Sequence, residues 1–369
     1  MSEQESMQRW IVDNVAAHPG DIARVTAEHF DVSRQAVHRH LHDLVQMGWL
    51  IPNGDTKGRS YCLAQLVNHV ARREIGPGVN EDEVWRNEIL PHLKDVPANV
   101  RTICQHGITE IVNNAIVHSE SPAFVVGISR TAAAIGLTVV DHGVGIFAKL
   151  QRAFGLDDPR HAVLELSKGK LTTDHAHHSG EGIFFTSRMF DLFGIMSAQL
   201  YFAHRDEKDW LLEIDPAPAA GTHVHMTIHP LSLRTALEVF NQFAPSTDHY
   251  GFTRTHLVAS LAQHDGEMLV SRSQARRLLK RVDHFREVVL DFSGVESIGQ
   301  GFADEIFRVF AREHPDIHIW QVNASSDVVR MILHVKSDGG NTETPFLPGM
   351  TPLSENGEGP RPKGETEIA

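Results

Sequence analysis

The sequence has few cysteines and no long apolar run. Its 369 residues include two cysteines, Cys62 and Cys104, too few and too far apart for a disulfide framework or a cysteine-based zinc site. No stretch approaches the roughly 18 consecutive apolar residues of a transmembrane helix. The first ten residues also lack the basic start and apolar run of a signal peptide. These absences predict a cytoplasmic protein that has no membrane partner.

Two common catalytic patterns are also missing. The chain has neither a Gly-x-x-x-x-Gly-Lys-Ser/Thr phosphate loop nor a Gly-x-Ser-x-Gly nucleophile elbow, so a P-loop and a hydrolase triad have no support. The formal net charge of −13 argues against a general nucleic-acid coat, although a local DNA-binding face remains compatible with it.

Length and shifts in composition divide the chain into modules, since 369 residues exceed one ordinary domain. The last 33 residues are rich in Gly, Pro, Glu, Thr and Ser, and this composition predicts disorder. The predicted divisions are a module of helices and a hairpin (1–68), a linker ending in Gly-Pro-Gly (69–80), an α/β domain (81–230), a connecting segment (231–250), a second α/β domain (251–336) and a disordered tail (337–369).

The first module shows three short helical patterns followed by two short strands. Ser33 is a good N-cap for the third helix, which places Val37, Leu41 and Leu44 on its inner side. This arrangement resembles a winged helix-turn-helix domain, and the resemblance implies that the third helix enters the major groove of DNA. The implied DNA-binding residues are Arg34, Gln35, His38 and Arg39 on that helix, and Lys57 and Arg59 at the tip of the hairpin.

The charge of this module leaves a second interpretation open. Residues 1–66 contain six Lys or Arg and eight Asp or Glu, whereas a strong nonspecific DNA-binding protein is basic. The module is therefore also compatible with protein contact or dimerisation.

A helical stretch from about Ala98 ends in a polar motif that contains Glu110 and Asn114. Because these residues are four apart, they share one helix face. Mg²⁺ prefers hard oxygen ligands, which makes the Asn114 amide oxygen a candidate ligand for Mg²⁺ bound with phosphates. Glu110 is the candidate catalytic residue, placed to orient or deprotonate a water. Alone, it is equally an exposed helical carboxylate.

Two glycine-containing motifs follow. Asp141 ends a strand-like run, and its carboxylate can accept a hydrogen bond from the amine of adenine. Gly143 and Gly145 would let the backbone approach the base. Gly180 and Gly182 open a later helix, whose N-terminal amides can bind phosphate.

The order and spacing of these motifs, followed by a Gly-Thr pair at 221–222, resemble the GHKL ATPase superfamily of histidine kinases, gyrase, Hsp90 and MutL. The resemblance covers residues 81–230 and implies a Bergerat fold, which is a two-layer α/β sandwich of a mixed sheet and helices. It implies that Mg·ATP is bound by Glu110, Asn114, Asp141, Gly143, Gly145, Gly180, Gly182 and Thr222. The Thr222 hydroxyl would support the hydrogen bonds between Asp141 and adenine.

Two further features of this region have competing interpretations. Residues 167–179 form a candidate lid, in which Lys168 and Lys170 either close on the γ-phosphate or remain solvated. His223 and His225 lie on the same side of a strand and form a candidate metal pair. No Cys or carboxylate pattern joins them, which favours ordinary histidines of a histidine-rich chain.

The second α/β domain contains the run Val-Val-Leu-Asp-Phe-Ser-Gly-Val at 288–295, followed by a glycine-rich turn and a helix. This pattern resembles a STAS domain, as in anti-anti-sigma factors, and implies a protein partner. Those factors carry a phosphorylated Ser in the turn before the helix. Here the turn at 298–302 has no hydroxyl, and Ser293 and Ser297 are shifted from that position. A solvated basic helix face is expected from Arg272, Arg276, Arg277, Lys280 and Arg281.

The leading interpretation is a nucleotide-controlled, DNA-binding transcriptional regulator. ATP would close the lid and change how the modules pack or form a homodimer, and slow hydrolysis would reset them. One alternative is a protein kinase that acts on a partner or on Ser293 or Ser297. Autophosphorylation on histidine is disfavoured, because no dimerising helical hairpin precedes the nucleotide motifs. The other alternative is an interaction protein that binds ATP without turnover.

Overall fold

The chain forms two compact units, one up to Thr253 and the other from Arg254 onward. Both combine helices with a sheet, which confirms the expected multidomain, mixed α/β class. Within the described ranges, no helix combines the length and hydropathy that a bilayer span requires. The computed structural model describes residues 3–55, 58–169, 181–206, 208–215, 220–243, 253–263 and 268–337.

The first unit begins with three helices and an antiparallel hairpin. Their apolar residues recur at helical spacing, so that Ile11, Val37 and Leu41 are completely buried in one core. Ser33 precedes the third helix, and its hydroxyl accepts a hydrogen bond from the Ala36 amide at 3.2 Å, as its predicted role as N-cap requires. The elements are α1 (Glu3–Asn14), α2 (Ile22–Phe30), α3 (Arg34–Gln46), β1 (Leu50–Asn53) and β2 (Ser60–Leu63).

A seven-stranded sheet follows in the same unit, and all its neighbouring strands are antiparallel, whereas the resemblance implied a mixed sheet. Its strands are β3 (Val67–Glu74), β4 (Ala123–Arg130), β5 (Ile135–Asp141), β6 (Leu192–Ser197), β7 (Leu200–Arg205), β8 (Lys208–Glu213) and β9 (Thr222–Ile228). They are arranged in the order β3-β4-β5-β9-β6-β7-β8. The strand β9 therefore lies between β5 and β6, beside strands that are distant in sequence.

The structure corrects the predicted linker at 69–80, because most of β3 lies in that segment. β3 pairs with β4 along its whole length. The strand was missed because two of the four residues on its inward side are polar. His69 and Arg73 point towards Glu88, with nitrogen–oxygen distances of 2.7 and 3.0 Å. The pattern of alternating apolar residues that predicts a strand is therefore weak here.

Helices cover one face of this sheet. They are α4 (Glu81–Val84), α5 (Ala98–His118), α6 (Ile146–Phe154), α7 (Pro159–Lys168), α8 (Gly182–Met189) and α9 (Ala236–Phe243). Alternate residues of β5 and β9, such as Leu137 and Met226, are completely buried. The central helix α5 packs closely against Phe190 because Gly107 has no side chain. A Cβ atom there would lie 2.6 Å from the ring of Phe190.

The N-terminal helices contact the seven-stranded sheet at one of its ends. Ala132 and Ala133, in the turn between β4 and β5, pack against the core of the helices. His229, directly after β9, lies 3.0 Å from the Asp13 carboxylate of α1. These contacts join the two parts of the first unit at the end of two adjacent strands.

The second unit contains a three-stranded parallel sheet in the order β10-β11-β12. Its elements are β10 (Arg254–Val258), α10 (Arg272–Leu279), β11 (Glu287–Asp291), α11 (Gln300–Asp304), α12 (Ala311–Glu313), β12 (His318–Val322) and α13 (Ser326–Ser337). A π-helical turn, Glu305–Phe310, joins α11 to α12. Apart from Ser337, which ends α13, the predicted disordered tail lies outside the described residues.

Candidate functional site

The two polar residues of the first motif lie on α5 as predicted. Ile111, Val112 and Ala115 anchor this part of the helix in the core. Glu110 and Asn114 are only partly buried, one helical turn apart. The helix thus presents a carboxylate and a carboxamide on one side, both of which offer hard oxygen atoms.

The Glu110 carboxylate lies against the first residue of α8. A Cβ atom on Gly182 would lie 1.9 Å from Glu110 Oε2 and 2.7 Å from its Cδ, which is far inside ordinary contact. The first and third motifs therefore meet in space, and the meeting requires a glycine. Gly180, the other glycine of the third motif, lies outside the described residues.

Asp141, at the end of β5, is 6% exposed. Its Oδ1 accepts a hydrogen bond from the Gly143 amide at 2.9 Å. The sheet places Thr222 directly beside it in register. Burial raises the pKa of Asp141 above its ordinary value, and hydrogen bonds from Gly143 and Thr222 only partly oppose this effect. Thr222 Oγ1 also accepts a hydrogen bond from the amide of Ile146, at 3.1 Å.

Close backbone approaches fix the loop after β5. A Cβ atom on Gly143 would lie 1.8 Å from the carbonyl oxygen of Ser119, just after α5. Gly145 has a φ of +79°, which favours glycine. Gly221 approaches the Asp141 carbonyl to the same degree, since a Cβ there would lie 2.1 Å from that oxygen. The glycine of the Gly-Thr pair at 221–222 is thus part of the same packing.

The structure changes the interpretation of Lys168 in the candidate lid. Lys168 is the last residue of α7 and is 1% exposed. Its Nζ lies 2.7 Å from Oε1 of Glu165, which is also buried. For Lys168 we expected either a contact with the γ-phosphate or a solvated charge. The buried ion pair with Glu165 is neither. Lys170 and the rest of the candidate lid from that residue on lie outside the described residues.

The two histidines of β9 share one side of the strand, as predicted. His225 Nε2 lies 3.1 Å from the hydroxyl oxygen of Tyr201, and the two rings stack. Burial lowers the pKa of both His223 and His225. In the described part of the chain, no three or more His, Cys, Asp or Glu residues are grouped as metal ligands. The phenol of Tyr201 is a structural partner for His225.

The candidate DNA-binding residues of the first module occupy exposed positions. Arg34, Gln35, His38 and Arg39 are exposed on α3, and the last three project away from its buried side. Arg59 is exposed near the tip of the hairpin, and its guanidinium lies 5.5 Å from the ring centroid of Tyr61. Lys57 lies outside the described residues. One helix thus presents two cations and two hydrogen-bonding side chains to solvent.

In the second unit, the basic face of α10 is partly neutralised. Arg272 lies 2.7 Å from the Asp304 carboxylate, and Arg276 lies 2.6 Å from Glu305. Both acids are buried, at 8% and 6% exposure. The expected solvated face therefore includes two arginines that pair with the next helical segment. The amide of Ser293 donates to Asp291 at 2.8 Å, which holds the start of the loop after β11.

Comparison with known proteins supports the interpretation of the second unit. Residues 274–329 match a STAS-like domain of unknown function (DUF4325). The predicted STAS-like part of the chain is thereby confirmed over these residues. No curated relative matches the chain.

The sequence did not indicate two residues that stabilise the candidate nucleotide site in the first unit. Ser197 Oγ donates a hydrogen bond to the Gly221 carbonyl at 2.8 Å. Lys149 Nζ donates to the His118 carbonyl at 2.7 Å. Neither residue has a distinguishing sequence pattern, because each acts on a backbone carbonyl that only the folded chain brings near.

Proposed function

We propose that the chain is an ATP-binding regulator in which the nucleotide controls DNA binding by the N-terminal module. The observation that carries the proposal is the convergence of three motifs. Glu110 touches the start of α8, and the loop after Asp141 packs on the end of α5. Polar side chains therefore lie next to backbone segments that contain glycine. A nucleotide site of the GHKL type requires this arrangement.

Recognition of adenine is assigned to Asp141 and Thr222. Asp141 is buried, and its carboxylate is positioned by Gly143 and Thr222. A buried carboxylate accepts a hydrogen bond from the exocyclic amine of adenine, and it repels the carbonyl that guanine presents at the same place. A hydrogen bond to a charged group contributes about 1.5–3 kcal/mol, which is enough for roughly tenfold or greater discrimination.

The residues also fit a magnesium–phosphate group. The Asn114 amide oxygen and the Glu110 carboxylate are hard oxygen donors on one side of α5, as Mg²⁺ prefers. Gly182 begins α8, and the N-terminus of a helix favours an anion. Asn114 would hold Mg²⁺ with the phosphates, and Glu110 would orient a water for slow hydrolysis.

DNA binding is assigned to α3. Arg34 and Arg39 are exposed on the helix that follows the Ser33 cap, and Gln35 and His38 lie on the same side. Arginine is the commonest side chain that reads guanine in the major groove, and glutamine reads adenine. Arg59 on the hairpin would contact the DNA backbone, with Lys57.

The contacts inside the first unit support communication between these two sites. β5 runs from a point beside Ala133 to Asp141, and β9 runs from Thr222 to a point beside His229. Each strand has seven residues, so it spans roughly 20 Å. Both strands thus extend from the candidate adenine site to the contacts with the N-terminal helices. If these strand ends contact the N-terminal helices differently with and without nucleotide, the orientation of α3 would change.

Purified full-length protein, Mg²⁺ and γ-labelled ATP test the chemistry. Released phosphate and label retained on the protein are measured together, with Glu110→Ala and Asp141→Asn beside the wild type. The proposal predicts slow phosphate release that falls in both variants and no retained label. Label retained on the protein would instead support a protein kinase. Absence of ATP binding by the wild type would contradict the nucleotide assignment.

A further inference from the structure

The end of α5 is fastened to the segment that follows β5, and one side chain contributes to this junction. We propose that Lys149 is a positioning residue, which fixes the spacing between the adenine half and the magnesium–phosphate half of the candidate site. This inference rests on the proposed function, because it assigns the two halves to one nucleotide. The hydrogen bonds of Lys149 reach the loop after β5 and the end of α5, so it acts on the candidate site through these two segments.

Lys149 lies in α6, which begins directly after the glycine loop. Its amide donates to the Gly145 carbonyl at 3.0 Å, so its position is set by that loop. Its Nζ reaches back to α5, where it donates to the His118 carbonyl at 2.7 Å. It also lies 3.3 Å from Oε1 of Glu120, two residues further on.

The end of α5 is a place where a lysine has a strong effect. The last four carbonyls of a helix have no partner within the helix. The partial negative charge at this end favours a cation. Lys149 supplies both the hydrogen-bond donor and the positive charge, and it is only 25% exposed in its side chain. Charge-assisted hydrogen bonds of this kind are stronger than neutral ones.

Two backbone contacts act at the same junction. The Val144 amide donates to the Ser119 carbonyl at 2.9 Å. Gly143 packs on that same oxygen, with no room for a Cβ atom. These contacts hold the loop against one point of α5, and Lys149 adds neighbouring points at His118 and Glu120. The buried residues Ile111, Val112 and Ala115 already limit the movement of α5. The contacts of Lys149 further restrain the direction of its last turns.

The direction of α5 decides where Asn114 and Glu110 lie. Asn114 is one turn before His118, on the same helix. Asp141, in contrast, is fixed by the sheet between β4 and β9. Loss of the Lys149 contact would therefore move the magnesium–phosphate side relative to the adenine side. Binding of adenosine, which lacks phosphates, would be largely preserved.

The test compares Lys149→Met and Lys149→Arg with Arg152→Met in the full-length protein. Arg152 is a matched control, because it is an exposed cation on the same helix. Calorimetry gives the dissociation constants of Mg·ATP and of adenosine, and thermal unfolding is followed for each variant. We expect Lys149→Met to weaken Mg·ATP binding roughly tenfold and adenosine binding less than about twofold. Lys149→Arg restores Mg·ATP binding to within about threefold, and Arg152→Met behaves as the wild type.

Three outcomes overturn the inference. Equal affinities for Lys149→Met and Arg152→Met would show that the contact has no effect on the site. Equal loss of Mg·ATP and adenosine binding, with a lower melting temperature, would leave Lys149 a merely structural residue. Failure of the wild type to bind either ligand would refute the proposed function itself, and the inference with it. Calorimetry on the wild type alone detects this last outcome, which distinguishes it from the other two.

Discussion

At two glycines of the candidate site, an added Cβ atom would lie at almost the same distance from an oxygen atom. We nevertheless predict different consequences when each glycine is replaced by alanine. A Cβ on Gly143 would lie 1.8 Å from the Ser119 carbonyl oxygen, and a Cβ on Gly182 would lie 1.9 Å from Glu110 Oε2. The first neighbour is backbone, which cannot rotate away. The second is the end of a flexible side chain, which can.

The magnitudes follow from how each overlap is relieved. Gly143→Ala must displace the carbonyl that accepts from the Val144 amide. The lost hydrogen bond costs about 1 kcal/mol, and forced overpacking costs about 1–3 kcal/mol. Gly182→Ala needs only a rotation of Glu110, at about 0.5–1.5 kcal/mol. Alanine is favoured over glycine in a helix interior by about 1 kcal/mol, and at the first residue of α8 a part of this preference offsets that cost.

We therefore expect Gly143→Ala to lower the unfolding free energy of the first unit by about 3 kcal/mol, or its melting temperature by about 9 °C. Gly182→Ala should leave stability within about 1 kcal/mol but displace Glu110 and stop phosphate release. Thermal unfolding and a phosphate-release assay on the same samples measure both effects. The reasoning is refuted if Gly143→Ala melts with the wild type, or if Gly182→Ala destabilises more than Gly143→Ala does.

Three further predictions concern titration and communication. Because the pKa of Asp141 is raised, acidification should weaken Mg·ATP binding at a pH above the ordinary range of an aspartate, and a binding titration against pH checks this. A hydrogen bond from Arg308 lowers the pKa of Asp304 in the folded protein. The ionised carboxylate therefore stabilises the second unit fully at pH values above about 3.9, the pKa of an aspartate in the unfolded state. This stabilisation is lost as the pH falls through the lower folded-state pKa. Asp304→Asn should therefore flatten the acid dependence of unfolding, and an unchanged profile would contradict the assignment. Asp13→Ala and His229→Ala should each reduce the effect of ATP on DNA affinity, and the double variant should reduce it no further than either single variant.

Local patterns in the sequence predicted the elements that carry the site. Helical spacing and the Ser33 cap placed α3 and its buried side, and the four-residue spacing placed Glu110 beside Asn114. The position of Asp141 at a strand end was also predictable, because an alternating apolar run precedes it. These features depend on neighbours within a few turns of the chain, which is why the sequence alone is informative about them.

Features that depend on distant pairing could not be predicted in the same way. The family resemblance associated Thr222 with Asp141, but no local pattern indicates the register of β5 with β9 that brings them together across about 80 residues. The edge strand β3 was missed, because His69 and Arg73 on its inward side contact Glu88 and interrupt the apolar row. The burial of Lys168 with Glu165 depends on the packing around α7, and no local pattern indicates it.

In the second unit, the sequence predicted the α/β pattern but not the neutralisation of its basic helix. Arg272 and Arg276 looked like a solvated face, because their partners lie about 30 residues away on the next helical segment. Asp304 and Glu305 are buried only once α10 and α11 pack together. Charge runs are thus poorly interpreted until the packing partner of the helix is known.

The most direct test of the proposed function is the affinity of the full-length protein for random-sequence duplex DNA, measured with and without Mg·ATP. The wild type should show a different DNA affinity or stoichiometry when Mg·ATP is present. Asp141→Asn should bind DNA as the nucleotide-free wild type does, whether or not Mg·ATP is added. Identical DNA binding by the wild type in both conditions would contradict the account, because the nucleotide would then have no control over the DNA-binding module.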